Sequence, residues 1–275
     1  MPGGTVIAIE DPADPRLSDY ADLPDAALRD REATGARGVF IAEGELVVRS
    51  LAASRFPVRS ILVTPGRLEG CRDVVNALPP GTPVYVLPQG LMERAVGYAF
   101  HRGVMGVGER LPPPTLEAVT RLAGTLLLLE DLSNADNVGA VFRNAAALAG
   151  PDAAVLLSPG CCDPLYRKAV RVSMGHALRL PFRRCERWPD ELDDLRRLGW
   201  TVLGLTPRPE APLVRDAARG AAKIAWLLGA EGPGLTDRAL AKADAWARIP
   251  MQPGADSLNV ATAAAVALAL RATDA

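Results

Sequence analysis

The residues able to do chemistry in this chain of 275 residues fall in four stretches. The first is Asn137-Val-Gly-Ala-Val-Phe-Arg143. Val138, Val141, Phe142, Ala145, Leu148 and Ala149 recur at helical spacing and form an apolar stripe. Arg143 falls on the opposite side, facing a cleft or solvent, where a guanidinium offers a fork of donors to carboxylate or phosphate. The second is Gly229-Ala-Glu231-Gly-Pro-Gly234, directly after the apolar run 224–228. Glycines there let the backbone approach a ligand at a strand's carboxyl end. In the third, Pro250, Pro253 and Gly254 force an irregular loop. Asp256, Ser257 and Asn259 then supply capping side chains to a helix apolar on every face. This is either a capped core helix or a ligand site built on the free N–H groups of a helix start. The fourth stretch, Pro164 to Arg187, carries seven basic residues (Arg167, Lys168, Arg171, Arg179, Arg183, Arg184 and Arg187) against one acid, Glu186. It reads as a phosphate-backbone patch or as a solvated helix and loop.

The elements that position these residues are those of an α/β protein. Continuous apolar runs at 125–129, 153–157, 201–205, 224–228 and 245–249 read as five parallel strands covered on both faces. An amphipathic helix is expected over 191–198, and the final helix begins near Leu258. Before these, strands at 38–42, 61–63, 83–87 and 103–108 alternate with helices at 45–54 and 91–95, implying a smaller α/β layer domain. In the first of those helices Leu46, Val47 and Leu51 are expected inward. Residues 1–25 read as an extended, Pro-containing lead-in, with a helix starting near Ala21. Pro112-Pro113-Pro114 favours stiff polyproline II. The expected organisation is therefore an N-terminal domain over 1–110, a linker over 111–120 and a second domain over 121–275.

Composition narrows the function classes. Apolar content of 49% suits a globular core, and a net charge of −1 gives no global nucleic-acid signature, so any RNA contact must come from a local patch. Only Lys168, Lys223 and Lys242 are lysines, so arginine abundance reflects composition bias. Cys71, Cys161, Cys162 and Cys185 form no CxxC pair and histidine is scarce, which argues against a zinc site and predicts no metal. No signal-peptide pattern opens the chain, and the apolar run 263–270 is too short for a membrane span. A reducing cytoplasm with free thiols is expected.

Taken together and in order, Asn137-Val-Gly-Ala-Val-Phe-Arg143-Asn-Ala, Leu228-Gly-Ala-Glu231-Gly-Pro-Gly234-Leu and Ile249-Pro-Met-Gln-Pro-Gly254 through Ser257-Leu-Asn259-Val-Ala-Thr-Ala-Ala resemble the SpoU/TrmH family of RNA 2′-O-ribose methyltransferases. Arg171-Val-Ser173-Met-Gly175 is similar to a helix the family carries between the first two motifs. Phe40-Ile-Ala-Glu43-Gly44 and His101-Arg-Gly-Val104 resemble an accessory RNA-binding domain similar to ribosomal protein L30e. Arg102 stands where relatives commonly carry Gln.

The resemblance implies a parallel-sheet catalytic domain tied in a deep trefoil knot, which the usual topology rules would reject. It implies S-adenosylmethionine held by Gly229, Ile249 and Leu258, a homodimer through the C-terminal domain, and ribosomal RNA of the large subunit as substrate, the alternatives being transfer RNA or a non-catalytic RNA-binding, ribosome-assembly protein on the same fold. It assigns Arg143, Asn137, Glu231, Ser257 and Asn259 to catalysis, and Glu43, His101, Arg102, Arg167, Lys168 and Arg171 to RNA. The implied step moves a methyl from sulfonium to a ribose 2′-hydroxyl. That hydroxyl must lose its proton, so alignment and stabilisation of the developing alkoxide are required. An arginine is a poor base, which favours a charged Arg143 that clamps phosphate and alkoxide.

Overall fold

A computed structural model describes residues 3–21, 24–30, 38–121 and 123–272. The chain divides into two compact units, Met1–Pro112 with Leu165–Arg179, and Pro113–Pro164 with Leu180–Ala275. The expected boundary at the proline run separates most of the chain, but the segment Leu165–Arg179, read as part of the second domain, packs with the first unit.

The first unit is built on a five-stranded sheet of β1 (Thr5–Ala8), β2 (Val39–Glu43), β3 (Val58–Val63), β4 (Pro83–Val86) and β5 (Val104–Glu109), in the order β1-β4-β3-β5-β2. β1, β3 and β4 run parallel, while β5 is antiparallel to β2 and β3. The lead-in is thus not merely extended. It adds an edge strand, and the 3-10 turn Pro15–Tyr20 buries Leu17 and Tyr20. β1 escapes sequence reading because its exposed side chains show no burial alternation; hydrogen bonds such as Thr5 N–H to Thr82 O define it. Asp22 and Leu23, beside the expected helix start, lie outside the described residues, and the helix found there runs Asp25–Arg29. In the helix Glu45–Ala52, Val47, Val48 and Leu51 are buried, whereas Leu46 is 60% exposed. At 100° per residue the 47/48/51 set shares one face, and Leu46 falls outside it.

The second unit holds a six-stranded, all-parallel sheet: β6 (Thr125–Leu129), β7 (Ala153–Leu157), β8 (Phe182–Arg184), β9 (Thr201–Leu205), β10 (Ile224–Leu228) and β11 (Ala245–Ala247). The order is β11-β9-β10-β6-β7-β8. Side chains alternate between the faces. Leu126, Leu128, Ala154, Leu156, Ala225 and Leu227 enter a core with Leu192, Leu195 and Trp200. On the other face lie Leu127, Leu129, Val155, Leu157, Trp226 and Leu228, and the helices Ala135–Leu148 and Val260–Ala272 pack together and reach the sheet there. Burying both faces explains the uninterrupted apolar runs; each fully buried leucine contributes about 1.5–3 kcal/mol.

β8 was not expected as a strand, because Phe-Arg-Arg resembles neither an apolar run nor an alternation. Its arginines are structural. Arg184 donates to the carbonyls of Ser158, Pro159 and Cys161, and Arg183 pairs with Glu191. The stripe on Ala135–Leu148 holds through Ala145, but Leu148 emerges at 39% exposure as the helix clears the core. All four cysteines are free thiols, and burial raises the Cys185 thiol pKa. Among the described residues no helix is long and apolar enough to cross a membrane, and no cluster of metal-ligating side chains occurs.

Candidate active site

Parallel sheets open ligand crevices beyond the carboxyl ends of their strands. In the second unit the ends of β9, β10 and β11 converge on a cavity of about 550 Å³, within the ordinary range for small-molecule sites. Its lining includes Gly229, Glu231, Ile249, Ser257, Leu258 and Asn259, all singled out from the sequence.

The loop after β10 doubles back on itself. Ala230 and Gly234 form an antiparallel bridge, closed by the Gly234 N–H donating to Ala230 O at 3.0 Å. Gly232 and Gly234 have φ of 86° and 70°. A Cβ on Gly229 would overlap the Gly234 carbonyl carbon and the Leu235 nitrogen, so the glycine is required by the loop's own return path.

Asn259 joins the three motif segments. Its side-chain amide donates to Asn137 Oδ1 at 3.0 Å and to Glu231 Oε1 at 2.6 Å. Its Oδ1 accepts from the N–H groups of Ala261 and Thr262, an N-cap on the helix Val260–Ala272. The amide thus has a partner for both donors and for its oxygen. Asn137 is buried in the first turn of its own helix, which Asn134 caps by accepting from the Asp136 N–H. From the same helix Asn144 donates to Ala261 O at 2.7 Å, fixing the two helices against each other.

Arg143 is exposed on that helix, as its place opposite the stripe predicts, and its side chain makes no hydrogen bond or ion pair with another described residue. It does not line the cavity, and neither does Asn137, which connects to it through Asn259. Sequence reasoning missed Thr206 and Arg208 in the lining, which Met251 of the third motif joins. Arg208 stacks over Trp246 and pairs with Asp237. No spacing rule singles out these residues, because they follow strand ends in otherwise ordinary loops.

The residues expected to meet RNA gather in the first unit. Glu43, 6% exposed, lies 3.1 Å from Arg102 Nε and 3.6 Å from Arg171 Nη1. Arg167 stacks over Tyr98 and donates to its hydroxyl, and its backbone N–H donates to Asp25. His101 and Lys168 are exposed, His101 at 3.8 Å from Glu93. The basic stretch is therefore not a uniform patch. Arg102 and Arg171 flank a buried carboxylate, Arg183 and Arg184 serve the second unit's sheet, and Lys168, Arg179 and Arg187 remain exposed.

Known proteins place this geometry. The sequence model of the SpoU rRNA methylase family matches residues 124–269. An uncharacterized tRNA/rRNA methyltransferase of Mycobacterium bovis is 44% identical over 259 residues, covering 94% of this chain and 88% of that protein. Among solved structures, an AdoMet-bound rRNA methyltransferase from Sinorhizobium meliloti superposes with a TM-score of 0.77 at 22% identity, covering 98% of each chain. The SpoU methyltransferase AviRb from Streptomyces viridochromogenes, in complex with AdoMet, also gives 0.77 at 22% identity, covering 95% of this chain and 98% of that one. These two likenesses concern the fold, whereas the family match spans more than half of the sequence. The chain belongs to the SpoU methylase family of RNA methyltransferases.

Proposed function

We propose that this protein methylates a ribose 2′-hydroxyl of ribosomal RNA with S-adenosylmethionine. The observation that carries the reading is the Asn259 hub, which ties Asn137 and Glu231 together at the edge of the cavity. The cavity suits the cofactor. Leu228, Ile249, Leu258 and the backbone of Gly229 offer apolar lining for an adenine, and Glu231 is the one acid in the lining among the described residues, suited to a cationic centre. When bound, S-adenosylmethionine supplies a methyl made electrophilic by its sulfonium. Gly229, Ile249 and Leu258 hold it, and Ser257 orients its methionine end. Asn137 and Asn259 keep Glu231 and the acceptor side in register. Arg143, charged and with no described partner, grips the target phosphate and stabilises the alkoxide as the hydroxyl gives up its proton to solvent water.

The wider reading follows the same logic. A trefoil knot is supported by family membership, and the segment it would involve lies beside the long β9–β10 connection, where the Arg248 N–H donates to Pro212 O and its carbonyl accepts from Val214 N–H. A homodimer through the C-terminal helix is supported by Ala265 and Val266, partly buried apolar residues that share a helix face with the exposed Thr262 and Ala269. The first unit serves as an L30e-like RNA-binding module, with Glu43, His101, Arg102, Arg167, Lys168 and Arg171 on its RNA side. Solved neighbours described as rRNA methyltransferases align over nearly the whole chain, which supports ribosomal RNA over tRNA. A ribosomal RNA substrate would place this work in the cytoplasm.

The test is methyl transfer from labelled S-adenosylmethionine to total ribosomal RNA and to tRNA, followed by alkaline hydrolysis. Label in an alkali-resistant dinucleotide of ribosomal RNA is the expected result. Label on tRNA alone overturns the substrate, and alkali-labile base label overturns the ribose.

A further inference from the structure

Glu130, the residue after β6, sits at both ends of the loop that lines the cavity. Its backbone N–H donates to Leu228 O at 2.8 Å, immediately before Gly229. Its carboxylate Oε2 accepts from the Thr236 N–H at 2.8 Å, and Oε1 accepts from the Thr236 hydroxyl at 2.9 Å, immediately after Leu235. A third donor, Trp188 Nε1, reaches Oε1 at 2.7 Å. Glu130 is 2% exposed, so these bonds have little competition from water. Residues 229–235 all line the cavity, whereas neither Glu130 nor Thr236 touches it.

We propose that Glu130 is a positioning residue for the cofactor loop, stapling its entry through the main chain and its exit through the carboxylate. The inference rests on reading the cavity as the S-adenosylmethionine site. The glycines at 232 and 234 leave the loop with many accessible backbone states. Without the staple at its exit only the Ala230–Gly234 bridge and the Asn259–Glu231 bond would restrain it, and the bound shape would be a smaller population, weakening apparent affinity in proportion. Glu130 also begins the connection that leads through Asp131 to Asn137, so the same residue fixes the loop relative to the helix carrying Arg143.

The experiment compares S-adenosylmethionine Kd, KM and kcat for the full-length wild type, Glu130→Gln, Thr236→Val, Thr236→Ser and the core truncation Leu195→Ala, at a temperature where all are folded. Gln would turn a donor toward the Thr236 N–H, so Glu130→Gln is expected to raise Kd and KM about 10-fold or more, with a smaller effect on kcat. Thr236→Val is expected to raise Kd several-fold, while Thr236→Ser, which keeps the hydroxyl, stays within about twofold of wild type. Leu195→Ala lowers Tm without moving Kd, separating position from stability. Unchanged Kd in Glu130→Gln, or a Kd in Leu195→Ala that rises in step with its lost stability, overturns the proposal. If Glu130→Gln does not fold, an unchanged Kd in Thr236→Val overturns it alone. A wild type that binds no S-adenosylmethionine overturns the underlying reading instead.

Discussion

Asn259 shows how one side chain can serve structure and chemistry together. It donates to Asn137 and Glu231 while capping the helix that follows. Asn259→Ala removes the cap, costing about 1 kcal/mol, which corresponds to a Tm decrease of roughly 2–4 °C. It also frees Glu231 from its described partner. Methyl transfer should therefore fall by about 10-fold or more, beyond what the small stability loss explains, and calorimetry alongside kinetics separates the two. The glycine run and the capping types that border the cavity are local signals and were legible, whereas the roles proposed for Asn137, Arg143 and Glu231 came from the family resemblance. Glu130 was not legible, since a carboxylate at a strand end looks solvated until the chain brings Thr236 and Trp188 to it. Arg183 and Arg184 were misread for the converse reason: their charge suggested a surface, but Arg184 bonds carbonyls more than twenty residues away and Arg183 pairs with Glu191, partners that only the fold brings into place.

At the scale of elements, the cavity is a product of parallel β-structure. Three adjacent strands release their loops on one side, and the glycine-rich loop after β10 closes back on itself. Gly229→Ala puts a methyl against backbone that cannot yield locally. It should destabilise the protein by about 1–3 kcal/mol and weaken S-adenosylmethionine binding by about 10-fold or more; equilibrium unfolding and calorimetric titration measure both. β6, β7, β9 and β10 could be read from the sequence because burial on both faces leaves an unbroken apolar signature. β1 and β8 are short edge strands: β1 is apolar in sequence yet mostly exposed, and β8 sets one packed ring, Phe182, beside two arginines, so neither shows the long buried run or the alternation that marks a strand. The association of Leu165–Arg179 with the first unit was equally hidden, since Gly175, Arg171 and Arg167 meet residues far away in sequence.

For the whole molecule, near-neutral charge coexists with a nucleic-acid substrate class because the arginines are distributed by partner. Many are spent on ion pairs, leaving a local remainder for phosphate. A cofactor that binds only the folded chain stabilises it by mass action. S-adenosylmethionine at about 100 times its Kd should add about 2.7 kcal/mol, a Tm increase of roughly 5–10 °C. Thermal denaturation with and without the cofactor measures this, and no shift would argue against the cavity as its site.

The most direct test of the central claim is methyl transfer to ribosomal RNA by wild type and by Arg143→Ala, with cofactor affinity measured on the same samples. A single 2′-O-methylated position is predicted in the wild type. In Arg143→Ala that product should fall by about 10²-fold or more while S-adenosylmethionine Kd stays within about twofold, the signature of an interaction made in the transition state. Transfer undiminished in Arg143→Ala would contradict the catalytic assignment, and a wild-type product lacking 2′-O-methylribose would contradict the reaction itself.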